Sequence, residues 1–376
     1  MKITGAKIFT PGGFCESELN TEAGFIAGKS GDGTVYDAGG CYIIPGLTDL
    51  HFHGCRGADL SDGDPAGLET MAEYELSRGV TQICPAGMTL LEPDLELVCR
   101  AAAAHKKAGK PGAELVGVNL EGPFLSRAKK GAQNGDWLHE PDAEMLERLI
   151  EASEGLVKLV SVAPELPGAM EFIEKASKQV TVAIAHTTAD YDTAREALRR
   201  GARQITHLFN AMPPFGHREP GVVGAAFDNG ETMVELICDG VHIHPAVVRA
   251  TFQLFGADRV ILISDSLRAT GMPDGKYPFG GQEIVIKGNR AVLAHEPDTL
   301  AGSVTDLMGC VKTAVSFGIT LCDAVRAAAL NPARALGIDG DFGTLEPGKR
   351  ANFVVLDGQL NIKNVVFNGE IVSPSK

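Results

Sequence analysis

Eight short apolar runs recur along the middle of the chain, and an amphipathic stretch falls between most consecutive pairs. The runs cover residues 42–50, 80–84, 115–120, 158–162, 181–185, 204–206, 233–238 and 260–264. Helical periodicity marks 66–78, 93–107, 142–152, 169–177, 190–200 and 245–255. Such βα alternation predicts a parallel sheet covered by helices, and eight units fit a closed (β/α)8 TIM-like barrel of the α/β class. An open doubly wound sheet is the alternative, but it gives no reason for polar residues to stand just after so many separate strands. One interval breaks the rhythm. Residues 208–230, which take in most of HLFNAMPPFGHREPG, have no clear helical period and read as a long functional loop. After the eighth run come a Gly-rich excursion (269–302) and helical stretches at 304–317 and 321–335.

The two ends have a different texture. MKITGAKIF and GFIAG near the start, and RANFVVLD and NIKNVVFNGEIV near the finish, are β-like runs set between turn residues. The 45 glycines among 376 residues point to many tight turns, without the three-residue period of collagen. With 44% hydrophobic and 22% charged residues, the composition is globular. A formal charge of −14 opposes nonspecific binding to nucleic acid or to an anionic membrane, so an anionic substrate needs a local positive site. The opening residues lack the apolar run of a signal peptide, and no stretch offers about 20 apolar residues for a bilayer; a cytoplasmic location is expected. Eight scattered cysteines with no CxxC pair suggest neither a zinc ribbon nor a disulfide framework.

Barrel active sites assemble at the C-terminal ends of the strands, and the chemistry-bearing residues of this chain gather there. The first run ends in DLHFHG, which sets His51 and His53 two apart and so on one face. The third leads into Glu121 within NLEGPF, the fifth into His186, the sixth into His207, and the eighth into Asp265 within ILISDS. Four imidazoles and two carboxylates on one rim can hold one or two divalent metals and leave a position open for water. Singly, each has an ordinary explanation, since a turn histidine is commonly a satisfied core or surface residue and a carboxylate after a strand commonly caps a helix. At the ends of correctly ordered strands, coincidence is a poor account of all six.

On these residues, and on PGLTDLHFHG (45–54), NLEGPF (119–124), AHTTA (185–189), THLFNAM (206–212), HREPG (217–221), DGVHIHP (239–245), SDSLRATGMPDG (264–275), LAGS (300–303) and GTLEPGKRANFVVLD (343–357), the chain resembles the amidohydrolase superfamily. Within it, the chain closely resembles the N-acetylglucosamine-6-phosphate deacetylase family, a likeness carried most specifically by LEGPF, HLFNAM and HREPG. The resemblance implies a small β-sandwich domain built from both termini (1–46 and 343–376) beside a metal-dependent catalytic barrel (47–342). It implies a metal held by Glu121, His186 and His207, with His51 and His53 able to hold a second. Relatives with Gln and Asn at that histidine pair run on one metal. Many amidohydrolases bridge their metals with a carbamylated lysine at the end of the fourth strand, but Lys158 lies at the beginning of that run, which leaves Glu121 as the bridging carboxylate. Zinc is the first candidate metal, with iron, manganese, cobalt or nickel as alternatives. Cys55, close to His53, reads as a structural thiol.

The resemblance further implies hydrolysis of N-acetyl-D-glucosamine 6-phosphate to D-glucosamine 6-phosphate and acetate, in amino-sugar catabolism. Asp265 would take a proton from the attacking water and hand it to the sugar nitrogen, a general base that becomes a general acid. His242 is expected to contact substrate, and its neighbour His244 to be structural. For the phosphate, Asn210 and Ala211 offer backbone amides and Arg218 offers bidentate charge; Gln133, where relatives vary between His and Gln, is expected to contact the sugar or phosphate. In the family that arginine crosses a subunit interface, so a homodimer is expected in which Arg218 reaches the neighbouring active site. Two other readings stay open: the galactosamine epimer or another small amide as substrate, and a barrel that has lost catalysis and serves as a scaffold. The complete ligand set opposes the second.

Overall fold

The structure is a computed structural model that describes residues 1–28 and 33–372. The run expected as one strand over 42–50 divides in two. Tyr42–Pro45 joins a sheet made by the chain termini, and Leu47–Asp49 begins the central barrel. The division falls at Gly46, where a Cβ would stand 1.9 Å from Thr81 Oγ1; without a side chain there, the first strand can approach the second.

The second and third strands are each broken, into Val80–Ile83 with Ala86–Gly87 and into Glu114–Leu115 with Val118–Leu120. The remaining five are Val157–Val162, Thr181–Ile184, Gln204–Ile205, Met233–Ile237 and Val260–Ile263. Neighbours pair in parallel and in chain order. The eighth and first strands meet just past their C-terminal ends, where the Asp265 amide donates to His51 O (3.0 Å) and the His53 amide to Ser266 O (2.7 Å). At the opposite end a π-helical turn, Arg326–Leu330, packs against both strands. Asn331 Nδ2 follows it, donating to the carbonyls of Ala257 and Val260.

Period-two alternation sorts the strand side chains. Val160, Val260 and Leu262 lie in the large core beneath the helices, whereas Leu159, Ile261 and Ile263 form a separate cluster with Leu50, Cys84 and Leu336, on the inner face of the strands. Glu235, between the core residues Val234 and Leu236, therefore faces inward as well. The six expected helices occur within a residue of their expected bounds, as Pro65–Ser77, Glu92–Ala108, Ala143–Ala152, Ala169–Ala176, Tyr191–Arg199 and Pro245–Phe255. Asp64, Asp142 and Asp190 cap three of them by accepting from first-turn amides.

Two further expectations need correction. The long loop over 208–230 ends at residue 220, because Gly221–Asp228 is a helix whose residues Gly221 to Ala226 are all buried. GVVGAAF is apolar on every side, so it carries no amphipathic period to read. The Gly-rich excursion is a four-stranded antiparallel sheet, Gly275–Phe279, Gln282–Lys287, Arg290–Leu293 and Glu296–Leu300. Its first turn is built on Gly280 and Gly281, both at positive φ, the conformation that a two-residue hairpin favours.

The terminal sheet runs in the order Glu370–Val372, Ile362–Phe367, Phe353–Leu356, Tyr42–Pro45, Lys2–Thr10, Gly13–Glu22 and Phe25–Ala27, with Val35–Asp37 paired to Lys2–Thr10. Both chain ends thus contribute to one sheet, which has its own core around Ile3, Ile8, Ile43, Phe353 and Val355. Among the described residues, no helix is long and apolar enough to cross a membrane. Gly46→Ala is expected to destabilise the protein by about 1–3 kcal/mol, the usual cost of overpacking; an unchanged denaturation midpoint would refute this account of the strand division.

Candidate active site

The strand ends turn sharply where the polar residues stand. His186, His207 and Asp265 have φ of 44°, 27° and 48°, and Phe209 and Ala211 in the following loop have 77° and 51°. Non-glycine residues rarely adopt this left-handed region, and such residues cluster at functional sites.

These turns bring four imidazoles onto one carboxylate. His207 Nε2 lies 2.9 Å from Glu121 Oε1, with His186 Nε2 at 3.3 Å and His51 Nε2 at 3.4 Å from the same oxygen. His53 Nε2 is 3.4 Å from Glu121 Oε2 and 3.2 Å from Asp265 Oδ1. The ligand atoms of His51, His53 and Glu121, and those of Glu121, His186 and His207, form two buried groups, each within 4.8 Å. Glu121 belongs to both. The expected metal set is thus assembled, with Asp265 beside it.

The outer contacts orient the rings for ligation. His51 Nδ1 bonds Glu235 Oε2 (2.8 Å), His53 Nδ1 bonds Ala86 O (3.1 Å) and His186 Nδ1 bonds Lys129 O (2.7 Å). A ring that donates through Nδ1–H presents an Nε2 lone pair to the site. Among the described residues, His51 Nε2 is buried without a hydrogen-bond partner, an orphaned atom that a cation would satisfy. The donor set of imidazole and carboxylate therefore fits a divalent metal.

Burial disfavours charge throughout the cluster, but opposite charges outweigh it. The imidazoles of His51, His186 and His207 hold the Glu121 carboxyl well below the usual carboxylate range, and His53 lowers Asp265. Hydrogen bonds to Asp265 and Glu121 overcome burial at His53 and push it up to about 10. Burial pushes the Cys55 thiol well above its ordinary value.

The remaining candidates divide. Asn210, Ala211 and His242 line the same pocket as the histidines. His242 Nδ1 bonds Asp239 (2.7 Å). The Asn210 amide donates to His207 O (2.9 Å), so that N–H closes a turn instead of facing an anion; this differs from the expected use of both backbone amides. Gln133 is buried, with Nε2 donating to Glu121 Oε2 (2.7 Å) and Oε1 accepting from the Thr89 amide (2.8 Å). Arg218 is exposed and does not line this pocket. His244 caps the helix Pro245–Phe255, the structural place expected for it.

Three features escaped the sequence reading. Glu235, a charge inside an apolar strand, was the one visible signal of the inner network. Arg127, Lys129 and Lys130 line the pocket, as do Glu296 and Asp298, and are the local cations that an anionic substrate of an acidic protein needs. Phe279, carried by the four-stranded sheet, lies edge-on to the His53 ring at 5.5 Å.

The family model described as the amidohydrolase family matches residues 42–372. The chain belongs to the amidohydrolase family, in the branch that holds the amino-sugar 6-phosphate deacetylases. It is 34% identical to N-acetylglucosamine-6-phosphate deacetylase of Bacillus subtilis, over 89% of this chain and 85% of that protein. It is also 34% identical to N-acetylgalactosamine-6-phosphate deacetylase of Escherichia coli O157:H7, over 88% of each chain. Among solved structures, a mutant N-acetyl-D-glucosamine-6-phosphate deacetylase from Mycobacterium smegmatis, in complex with N-acetyl-D-glucosamine-6-phosphate, superposes with a TM-score of 0.93 at 33% identity, covering 99% of this chain and 98% of that one. The family is metal-dependent.

With His53 pushed up to about 10 in the metal-free protein, metal uptake is expected to displace a proton, and affinity should rise with pH. Calorimetric titration of metal-free protein at pH 7 in buffers of different ionisation enthalpy should show proton release. Heats that do not vary with the buffer would contradict a displaced proton on His53.

Proposed function

We propose that the protein is a deacetylase that hydrolyses N-acetyl-D-glucosamine 6-phosphate to D-glucosamine 6-phosphate and acetate, with two divalent metals per chain and zinc the first candidate. The observation that carries this reading is the Glu121 carboxylate shared by the pairs His51–His53 and His186–His207, with Asp265 alongside. A divalent metal held by these residues would polarise the amide carbonyl and lower the pKa of water.

Asp265 is held ionised by His53, as a base must be. It takes the proton of the attacking water and delivers it to the nitrogen as the C–N bond breaks, so that the leaving group departs as an amine. His242, fixed by Asp239, contacts the sugar. The Ala211 amide, the Asn210 side chain, and the lysines of 127–133 receive the phosphate. Gln133 supports Glu121. Arg218, exposed on its own chain, completes the phosphate site of a neighbouring subunit in a homodimer. The terminal sheet is read as a small β-sandwich domain (1–46 and 343–376, of which 29–32 and 373–376 lie outside the described residues), the catalytic barrel as 47–342, and the location as cytoplasmic.

The galactosamine relative is as similar as the glucosamine ones, so the C4 epimer is the second reading. Acetate release from both phosphorylated epimers and from unphosphorylated N-acetylglucosamine decides between them. A higher kcat/KM for the gluco phosphate supports the proposal, and a galacto preference replaces it. Asp265→Asn should keep its metal while kcat falls by about 10²–10⁴; activity near wild type would remove Asp265 from its role. Arg218→Ala should raise KM by about 10-fold or more, the worth of a charged hydrogen bond. Mixing Arg218→Ala with Asp265→Asn should then restore activity, because a mixed dimer has one site with both residues intact. No recovery on mixing would place Arg218 outside the neighbouring site.

A further inference from the structure

We infer that Glu235 is a positioning residue that links the two metal positions and gives the His51–His53 position its high affinity, an inference that rests on the two-metal reading above. Glu235 is wholly buried on the inner face of the seventh strand. Its Oε2 accepts from His51 Nδ1 (2.8 Å) and from the His207 backbone amide (3.2 Å). Its Oε1 accepts from Gln204 Nε2 on the sixth strand. One carboxylate therefore touches a ligand of each metal group.

The contact differs from those of the other rings. His53 and His186 lean on neutral carbonyls, and His207 Nδ1 has no partner among the described residues. Of the four imidazoles, His51 is the one backed through its ring by a carboxylate. Accepting Nδ1–H fixes the tautomer with its lone pair on Nε2, and a negative partner makes that lone pair a stronger donor. Glu235 also brings the carboxylates touching these histidines to three, beside Glu121 and Asp265. Two dications held by these residues would repel one another, and a third buried negative charge would offset that repulsion. Its role on the His207 amide is different: it holds the strained turn that delivers His207 to Glu121. A carboxylate with a purely structural task would serve both metal positions alike, whereas the bond to the His51 ring predicts a loss confined to one.

The test is titration of metal-free protein with Co(II), followed by visible absorption and by metal analysis against a competing chelator. Wild type should bind two metals per chain. Glu235→Gln, which keeps the shape and removes the charge, should retain one metal at unchanged affinity and bind the other about 10–100-fold more weakly. Glu235→Asp, which keeps the charge but shortens its reach, should show the same selective loss to a smaller degree, and it serves if the glutamine variant fails to fold. His51→Gln combined with Glu235→Gln should lose no more than His51→Gln alone. Two metals at wild-type affinity in a folded Glu235→Gln protein, or equal weakening of both, overturns the inference and leaves the two-metal reading standing. A wild-type chain that binds a single metal overturns the two-metal reading, and the inference with it.

Discussion

A carboxylate with four imidazoles around it, all buried, is costly unless every partner is in place, and much of the architecture near the site follows from the Glu121 cluster. Its histidines come from the first, fifth and sixth strands and Glu121 itself from the third. Those strands can reach one point only if the sheet curls. The loop between Glu121 and the fourth strand returns Gln133 to the same carboxylate, so the segment that supplies the pocket's cations is tethered to the centre it serves.

The joint between the eighth and first strands has the same double character. No ladder spans it; the Asp265 amide bonds His51 O and the His53 amide bonds Ser266 O. These bonds close the ring at the end where chemistry is expected, and they place the proposed acid–base residue next to the histidine pair in one stroke. The opposite end carries Leu336 and the turn Arg326–Leu330, with the apolar plug of Leu159, Ile261 and Ile263 between. One end of the ring is thus given to packing and the other to charge.

Much of this was legible because periodicity and strand order are local properties. The six helices and eight strand positions, and the gathering of His51, His53, Glu121, His186, His207 and Asp265 at one rim, follow from runs and their ends. What was missed depends on packing between distant segments. Gly46 divides a continuous apolar run because Thr81 occupies the space of its Cβ, and nothing within 42–50 reports that neighbour. The helix Gly221–Asp228 is invisible to amphipathic analysis because GVVGAAF is apolar on every side. The use of the Asn210 amide within a turn, and of Gln133 on Glu121, depends on loop geometry that residue type does not encode. Glu235 is the intermediate case: a charge in MVELI announces an inner partner without saying which.

The left-handed residues show why the ligand geometry can be expected to exist before any metal arrives. A non-glycine residue at positive φ costs about 1–3 kcal/mol and persists only where its surroundings over-determine it. At His207 the amide is held by Glu235, at Asp265 the amide and carbonyl are held by His51 and Ser303, and at His186 the carbonyl is held by the Ser126 amide. Each restraint comes from a different element, so relaxing one turn would leave a buried donor or acceptor unpaired elsewhere, a penalty of about 1–3 kcal/mol that matches the strain. The backbone, more than the metal, therefore sets where the Nε2 atoms point, and the loops beyond it are left to read the substrate.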